Sequence, residues 1–206
     1  MAFRFKFWHR KEGGKMSETL WVRKVTVGLF DTHCYVVWKP GQEHCVVIDP
    51  GADAAAILRA AEGKHIDAIL LTHGHFDHIG AVAELMDKDT QLVVHRLDAP
   101  MLTDPHLNVS RLMGEDVVCP APTRLVEEGD AVDAAGLHFL VLHTPGHTAG
   151  SVCYQIENAL FTGDTLFACG WGRTDLPTGD EKAMRESLSR LIPLRKSNTV
   201  YPGHEG

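Results

Sequence analysis

The sequence predicts an α/β fold, an αββα sandwich in which two mixed β-sheets face each other and helices cover the outer faces. Two observations predict it. One local pattern, an apolar strand running through a small or glycine-containing turn into a potential metal ligand, occurs four times and is spread over both halves of the chain. Runs with helical periodicity fall between these strands, so sheets must be layered against helices to bury both. With 206 residues, 44% of them hydrophobic, one well-buried core is expected rather than two enzyme domains.

Taken in order, residues 1–16 read as an N-terminal extension and 17–206 as the folded domain. Met1 to Lys15 mixes Phe3, Phe5, Phe7 and Trp8 with Arg4, Lys6, His9, Arg10 and Lys11. It lacks the continuous apolar run of a secretory signal, and a short amphipathic strand, or an alternative start at Met16, is expected. Trp21–Val27, Cys34–Trp38 and Cys45–Asp49 are β-rich runs split by turn chemistry at Gly28–Asp31 and Pro40–Gly41, a meander opening the first sheet. Asp53 stands where it can cap an alanine-rich helix over Ala54–Glu62, which Gly63 ends. Ala68–Leu71 reads as a buried strand, Ile79–Met86 as an amphipathic helix and Gln91–His95 as another strand.

His65 and His95 have no partner motif and are expected to be structural or solvated. From Arg96 to Thr123, Pro100, Pro105, Pro120 and Pro122 interrupt every pattern, which predicts a long functional or mobile loop. Glu128-Gly129-Asp130 reads as a hairpin turn and Leu137–Leu142 as a strand. Val152–Ile156 and Ala159–Thr162 form a hairpin around Glu157-Asn158, and Asp180–Leu191 a helix with Met184, Leu188 and Leu191 on one face. The glycines of Thr144–Ser151 are expected to let the backbone pass close to bound ions.

The chemistry is concentrated in Thr72–Gly80, where three imidazoles and a carboxylate fall within the six positions from His73 to His78. Imidazole nitrogen and carboxylate oxygen are donors that suit zinc, iron or manganese. If the backbone stays extended through the turn, His73 and His75 point the same way, while Asp77 and His78 lie around the bend and face a second position. Two-metal sites hold their ions about 3.5–4 Å apart. The other three strand ends deliver His147, Asp164 and His204. These seven residues are enough for two metals that share one carboxylate.

The motifs H-x-H-x-D-H, P-G-H-T, G-D-T-L-F and P-G-H, in that order from about Val22 onward, resemble the metallo-β-lactamase-fold hydrolases. Within them they are similar to the single-domain, glyoxalase II-like (hydroxyacylglutathione hydrolase) branch. The resemblance implies two divalent ions, zinc first with iron or manganese as alternatives. His73, His75 and His147 would hold one, Asp77, His78 and His204 the other, and Asp164 would bridge them. It implies that a metal-bridging hydroxide attacks a thioester such as S-lactoylglutathione, with Asp77 as the catalytic residue orienting it. Arg173 would meet the glutathione portion, and Asp49 would brace a ligand.

Two features depart from the family pattern. Asp175 stands where many two-domain members carry an aromatic residue. The sequence stops two residues after His204, short of the helical domain that completes their glutathione site; a missing C-terminal helix or a trimmed chain is the expected reason. The alternative function is a persulfide dioxygenase-like oxidoreductase with one iron on His73 or His75, His147 and Asp164. The run Gly172–Asp175 fits it, whereas Phe76–Gly80 fits the hydrolase. A β-lactamase fits less well, because Asp164 occupies the place of a cysteine in the main zinc lactamases.

Composition removes other classes. A net charge of −7 and a pI near 6.0 leave no basic stripe for a nucleic-acid partner. No apolar stretch reaches the roughly 20 residues of a membrane span. Five cysteines without C-x-x-C spacing, four of them in or beside apolar runs, fit a reducing cytoplasm. The expected partner is a small-molecule thioester; the sequence carries no signal for oligomeric state.

Overall fold

A computed structural model describes residues 20–205; the extension expected over residues 1–16 lies outside them. Six strands form one sheet in the order β1-β2-β3-β4-β5-β6 and five form a second in the order β11-β10-β9-β8-β7. The first comprises β1 (Trp21–Val27), β2 (Thr32–Trp38), β3 (His44–Ile48), β4 (His65–Leu70), β5 (Gln91–His95) and β6 (Arg124–Val126). It opens as an antiparallel meander and becomes parallel from β3 to β6. The second comprises β7 (Ala131–Ala134), β8 (Leu137–His143), β9 (Val152–Ile156), β10 (Ala159–Gly163) and β11 (Thr199–Pro202), antiparallel except for the β10–β11 pair.

Alternation along the strands builds three apolar layers. Cys34, Val36, Val47, Ile69 and Leu92 face outward onto α1 (Ala54–Ala61) and α3 (Val82–Leu85). Their neighbours Tyr35, Val37, Val46, Ile48 and Leu70 face inward and meet Phe139, Val141, Tyr154 and Phe161 of the second sheet. On the far side, Cys153 and Leu160 receive Met184, Leu188 and Leu191 of α4 (Glu181–Leu191). Because β2 to β5 are covered on both faces, they read as continuous apolar runs in the sequence. This is the αββα sandwich. Asp180 caps α4 by accepting from Ala183 N.

Three local expectations are corrected. The helix expected over Ile79–Met86 is two single turns, α2 (Phe76–Ile79) and α3, since Ala81 N donates to Pro50 O at 2.9 Å instead of continuing the ladder. Asp53 does occupy the N-cap position of α1, but at φ 55° its carboxylate accepts from Gly28 N and leaves its own helix uncapped. The Glu128–Asp130 turn joins no hairpin. β6 pairs in parallel with β5 and covers that edge of the first sheet, and the chain then crosses to open the second with β7. The Arg96–Thr123 stretch, expected to be a functional or mobile loop, contains 3₁₀ turns at Ala99–Leu102 and Ser110–Met113, and Asp98, Leu102 and Asn108 are fully buried.

Nor are the two solitary histidines solitary. His65 shares Asp67 with His44, and His95 stacks on His143 with ring centroids 4.1 Å apart. Cys34, Cys45, Cys119 and Cys153 are buried thiols, and Cys169 is exposed.

Candidate metal centre

The carboxyl ends of the parallel strands β3, β4 and β5 open onto one edge of the sandwich, the place where α/β sheets assemble ligand sites. Asp49 directly follows β3 and is held at φ 51°. Its carboxylate accepts from Thr72 N at 2.8 Å and Thr72 Oγ1 at 2.6 Å, fixing the start of the histidine loop. With its hydroxyl proton given to Asp49, Thr72 accepts from His73 Nδ1 at 3.1 Å, which leaves His73 Nε2 facing the site. Gly51 makes this approach feasible, since a Cβ there would lie 1.6 Å from the Asp77 carbonyl oxygen.

From the second sheet come His147 after β8, Asp164 after β10 and His204 after β11. His147 Nδ1 donates to Arg173 O at 2.7 Å and His204 Nδ1 to Phe30 O at 3.0 Å. Each ring is thereby committed to presenting Nε2, the way a neighbouring acceptor sets the tautomer of a metal-binding histidine. Two main-chain bonds close the sheets on each other at this edge: Val152 N to Thr72 O at 2.8 Å and His33 N to Gly203 O at 2.7 Å.

All seven residues named from the sequence meet here. Their donor atoms form three overlapping groups, His73–His75–His147, His73–His78–Asp164 and Asp77–His78–His204, with all atoms in each group within 4.8 Å of one another. Asp164 spans them. Its Oδ2 lies 3.5 Å from both His147 Nε2 and His204 Nε2, and its Oδ1 lies 3.4 Å from His78 Nε2. Bonds of about 2.0–2.2 Å to a shared tetrahedral ion place its ligands roughly 3.3–3.6 Å apart, so these separations fit.

Hydrogen bonding points the same way. His75 Nδ1 faces His147 Nε2 at 2.8 Å, a contact that two lone pairs resist unless a proton or a cation lies between them. His73 Nε2, His75 Nε2 and Asp164 Oδ1 are buried with no hydrogen-bond partner among the described residues, a costly state for polar atoms. Burial pushes the imidazoles of His73 and His75 well below their ordinary pKa, with the surrounding histidines adding to it, so both are neutral donors. Burial acts the same way on His78, but Asp77, Asp164 and Asp49 outweigh it and raise it to about 10. Burial would raise the Asp77 carboxyl, yet His78 and His204 hold it well below the usual range. A neutral pair of imidazoles beside a carboxylate cluster that stabilises positive charge is the donor set of a divalent-cation site.

Asp49 lies 3.2 Å from His78 Nδ1 as well as holding Thr72. The Arg173 guanidinium is exposed and tied to Asp175 by two bonds of 2.6 and 2.7 Å, so the residue that departs from the family pattern is the one that holds it. Gly146 and Gly150 do not make room for ions as expected; a Cβ on them would strike Met184 and Asp98. The glycines at the site are Gly203, where a Cβ would lie 2.3 Å from Asp164 Oδ1, and Gly172, where one would lie 2.9 Å from His147 Nδ1.

Reading the sequence missed Asp98. It is fully buried three residues past β5, and its carboxylate accepts from Gly74 N at 3.0 Å, Thr148 Oγ1 at 2.6 Å and Gly150 N at 2.7 Å. It clasps the loop of His73 and His75 to the loop of His147. Its signal was position, a carboxylate just beyond the carboxyl end of a parallel strand. Thr32, whose hydroxyl donates to Asp77 Oδ2 at 3.1 Å, was missed too, and nothing local marks it.

The profile of the metallo-beta-lactamase superfamily matches residues 27–204. The chain belongs to this superfamily. Among its relatives, the hydroxyacylglutathione hydrolase of Photobacterium profundum is 40% identical over 164 residues, 79% of this chain but 57% of that protein. The probable metallo-hydrolase YqgX of Bacillus subtilis is 34% identical over 189 residues, 88% of this chain and 89% of its own. Two solved structures are also similar. BLEG-1, a B3 metallo-beta-lactamase, superposes with a TM-score of 0.83 at 35% identity, covering 89% of this chain and 91% of that one. TTHA1623 in a di-iron-bound form gives 0.75 at 39%, covering 89% and 92%. Among the described residues no helix is long and apolar enough to cross a membrane.

Proposed function

We propose that the protein is a binuclear metal-dependent hydrolase of the glyoxalase II (hydroxyacylglutathione hydrolase) type that cleaves a thioester such as S-lactoylglutathione into an acid and a thiol. The observation that carries this reading is the placement of Asp164, with one carboxylate reaching toward two adjacent groups of histidines. His73, His75 and His147 would hold one ion, Asp77, His78 and His204 the other, with Asp164 between them. Zinc is the first expectation and iron or manganese the alternatives; the di-iron form of TTHA1623 supports iron as an occupant. Two divalent ions in these seats lower the pKa of a shared water and polarise a carbonyl oxygen.

Asp77, anionic and fixed by the Thr32 hydroxyl, would orient that water. Because its carboxyl is held low, it is a poor proton donor to a leaving group near neutrality. An alkyl thiolate, with a conjugate-acid pKa of about 8.5, leaves without one, and this favours thioesters over amides. The likeness to a hydroxyacylglutathione hydrolase supports the same substrate class. Arg173 would meet the glutathione portion once Asp175 releases it. Four buried thiols in the free state support a reducing compartment such as the cytoplasm.

The second reading, a mononuclear iron oxidoreductase acting on persulfides, draws on the convergence of His73, His75, His147 and Asp164. The complete donor set at Asp77, His78 and His204 favours the hydrolase. Metal-replete protein is expected to release thiol from S-lactoylglutathione, to lose this activity on exhaustive chelation and to regain it with zinc. Absence of thiol release, together with oxygen uptake on glutathione persulfide or hydrolysis of a β-lactam, would overturn the proposal.

A further inference from the structure

The strands that open onto the seven-residue cage carry a second set of metal-binding side chains at their other ends. β3 begins with His44 and β4 with His65, and the two are register partners in the parallel pair. Asp67 follows on the same face. His44 Nδ1 and His65 Nδ1 converge on one atom, Asp67 Oδ1, at 2.6 and 2.9 Å. With strands of five and six residues at about 3.3 Å per residue, this cluster lies roughly 20 Å from the cage.

We propose that His44, His65 and Asp67 form a peripheral site for Zn²⁺. All three donor atoms lie within 4.8 Å of one another, as the cage donors do. Two imidazoles with one carboxylate select a first-row transition ion over calcium or magnesium. The surroundings are those found behind metal-binding histidines. His65 turns its other nitrogen, Nε2, to Asp87 Oδ2 at 3.1 Å. Asp87 is itself fixed through Oδ1 by Asp89 N, Thr90 N and Thr90 Oγ1. Asp67 turns its second oxygen to Ala135 N at 3.0 Å.

With no cation present, one oxygen can satisfy both rings only if each Nδ1 carries a proton. Zinc takes the place of those protons: His65, set between two carboxylates with a proton on each nitrogen, releases its Nδ1 proton and keeps the Nε2 proton on Asp87, while a neutral His44 shifts its proton to Nε2. Solvent completes the coordination, since both histidines are partly exposed. A neighbouring groove of about 560 Å³, lined by Asp67, Asp89 and Asp133 among others, adds negative charge. Because Asp67 also holds Ala135 in the turn between β7 and β8, the ion would tie the two sheets together at the end opposite the cage.

The test counts metal in protein equilibrated at fixed free zinc. Wild type is expected to carry one zinc more than His44→Gln, with thiol release unchanged between them. Asp87→Asn, which leaves all three ligands in place, is expected to weaken the extra zinc by about 10- to 100-fold. At free zinc 100-fold above the dissociation constant, Tm of the wild type should rise roughly 5–10 °C relative to His44→Gln. Equal zinc content in wild type, His44→Gln and His65→Gln at every free zinc concentration would overturn the proposal. The count is a difference between variants, so loss of ions from the cage would lower both totals equally and leave it readable.

Discussion

Asp98→Asn is predicted to loosen the cage without touching any of its donors. The carboxylate is fully buried and receives three donors, Gly150 N on Oδ1 and Gly74 N with Thr148 Oγ1 on Oδ2. Asparagine keeps the shape but has one acceptor oxygen, so its NH₂ must face either Gly150 N–H or Gly74 N–H. A hydrogen bond to a charged group contributes about 1.5–3 kcal/mol, and one or two are lost. Burial already raises the Asp98 carboxyl above its ordinary pKa, with the three donors acting against it, so removing the charge returns part of that cost. The net destabilisation is about 2–4 kcal/mol, or a fall in Tm of roughly 5–15 °C for a chain of this size. Urea unfolding of the chelated protein measures the clasp alone. Metal titration of the folded variant should then show affinity lower by about 10- to 100-fold, the usual effect of removing a group that supports ligands. If chelated Asp98→Asn unfolds within about 0.5 kcal/mol of wild type and binds metal equally well, Asp98 is not the clasp described above.

Gly203→Ala places a methyl group 2.3 Å from Asp164 Oδ1 and 2.9 Å from His78 Cε1, and elemental analysis of the folded variant should show the cage depleted of metal. For His95 the prediction concerns pH. Burial, with His143 stacked over it, lowers its pKa to about 4, so between pH 6.5 and 4 the unfolded chain binds a proton that the folded chain does not. Stability therefore falls as pH falls through that window, and His95→Asn should flatten that part of the urea-midpoint profile of chelated protein. Arg173→Ala should raise KM for S-lactoylglutathione about two- to fivefold with little change in kcat, the scale of an exposed charge contact. Asp175→Asn, which frees the guanidinium, should lower KM, and a KM unmoved by either change would remove Arg173 from the substrate site.

The parts of this fold legible in the sequence are those whose cause is local. β1, β5, β9 and α4 fall where period and turn chemistry put them, and the cage donors were readable because each follows an apolar strand through a tight turn. What failed depended on distant partners. Nothing near Ile79–Met86 reveals that Pro50 O captures Ala81 N and breaks the helix. The capping sequence at Asp53 could not show that its carboxylate would turn to Gly28. The Glu128 turn carries hairpin chemistry, but a turn does not say which sheet receives the next strand. Asp98 sits among prolines that read as a loop, and its three partners lie 24 to 52 positions away.

The bond from His33 N to Gly203 O joins the start of β2 to the loop after β11, so the pocket is closed by segments from near the two ends of the described chain. A chain that has folded only through β10 holds His147 and Asp164 but lacks His204, and it has no strand to carry that ring into place. On the proposed two-metal reading, the seat that needs His204 would therefore be completed only when β11 docks, after the His73–His75–His147 group has met.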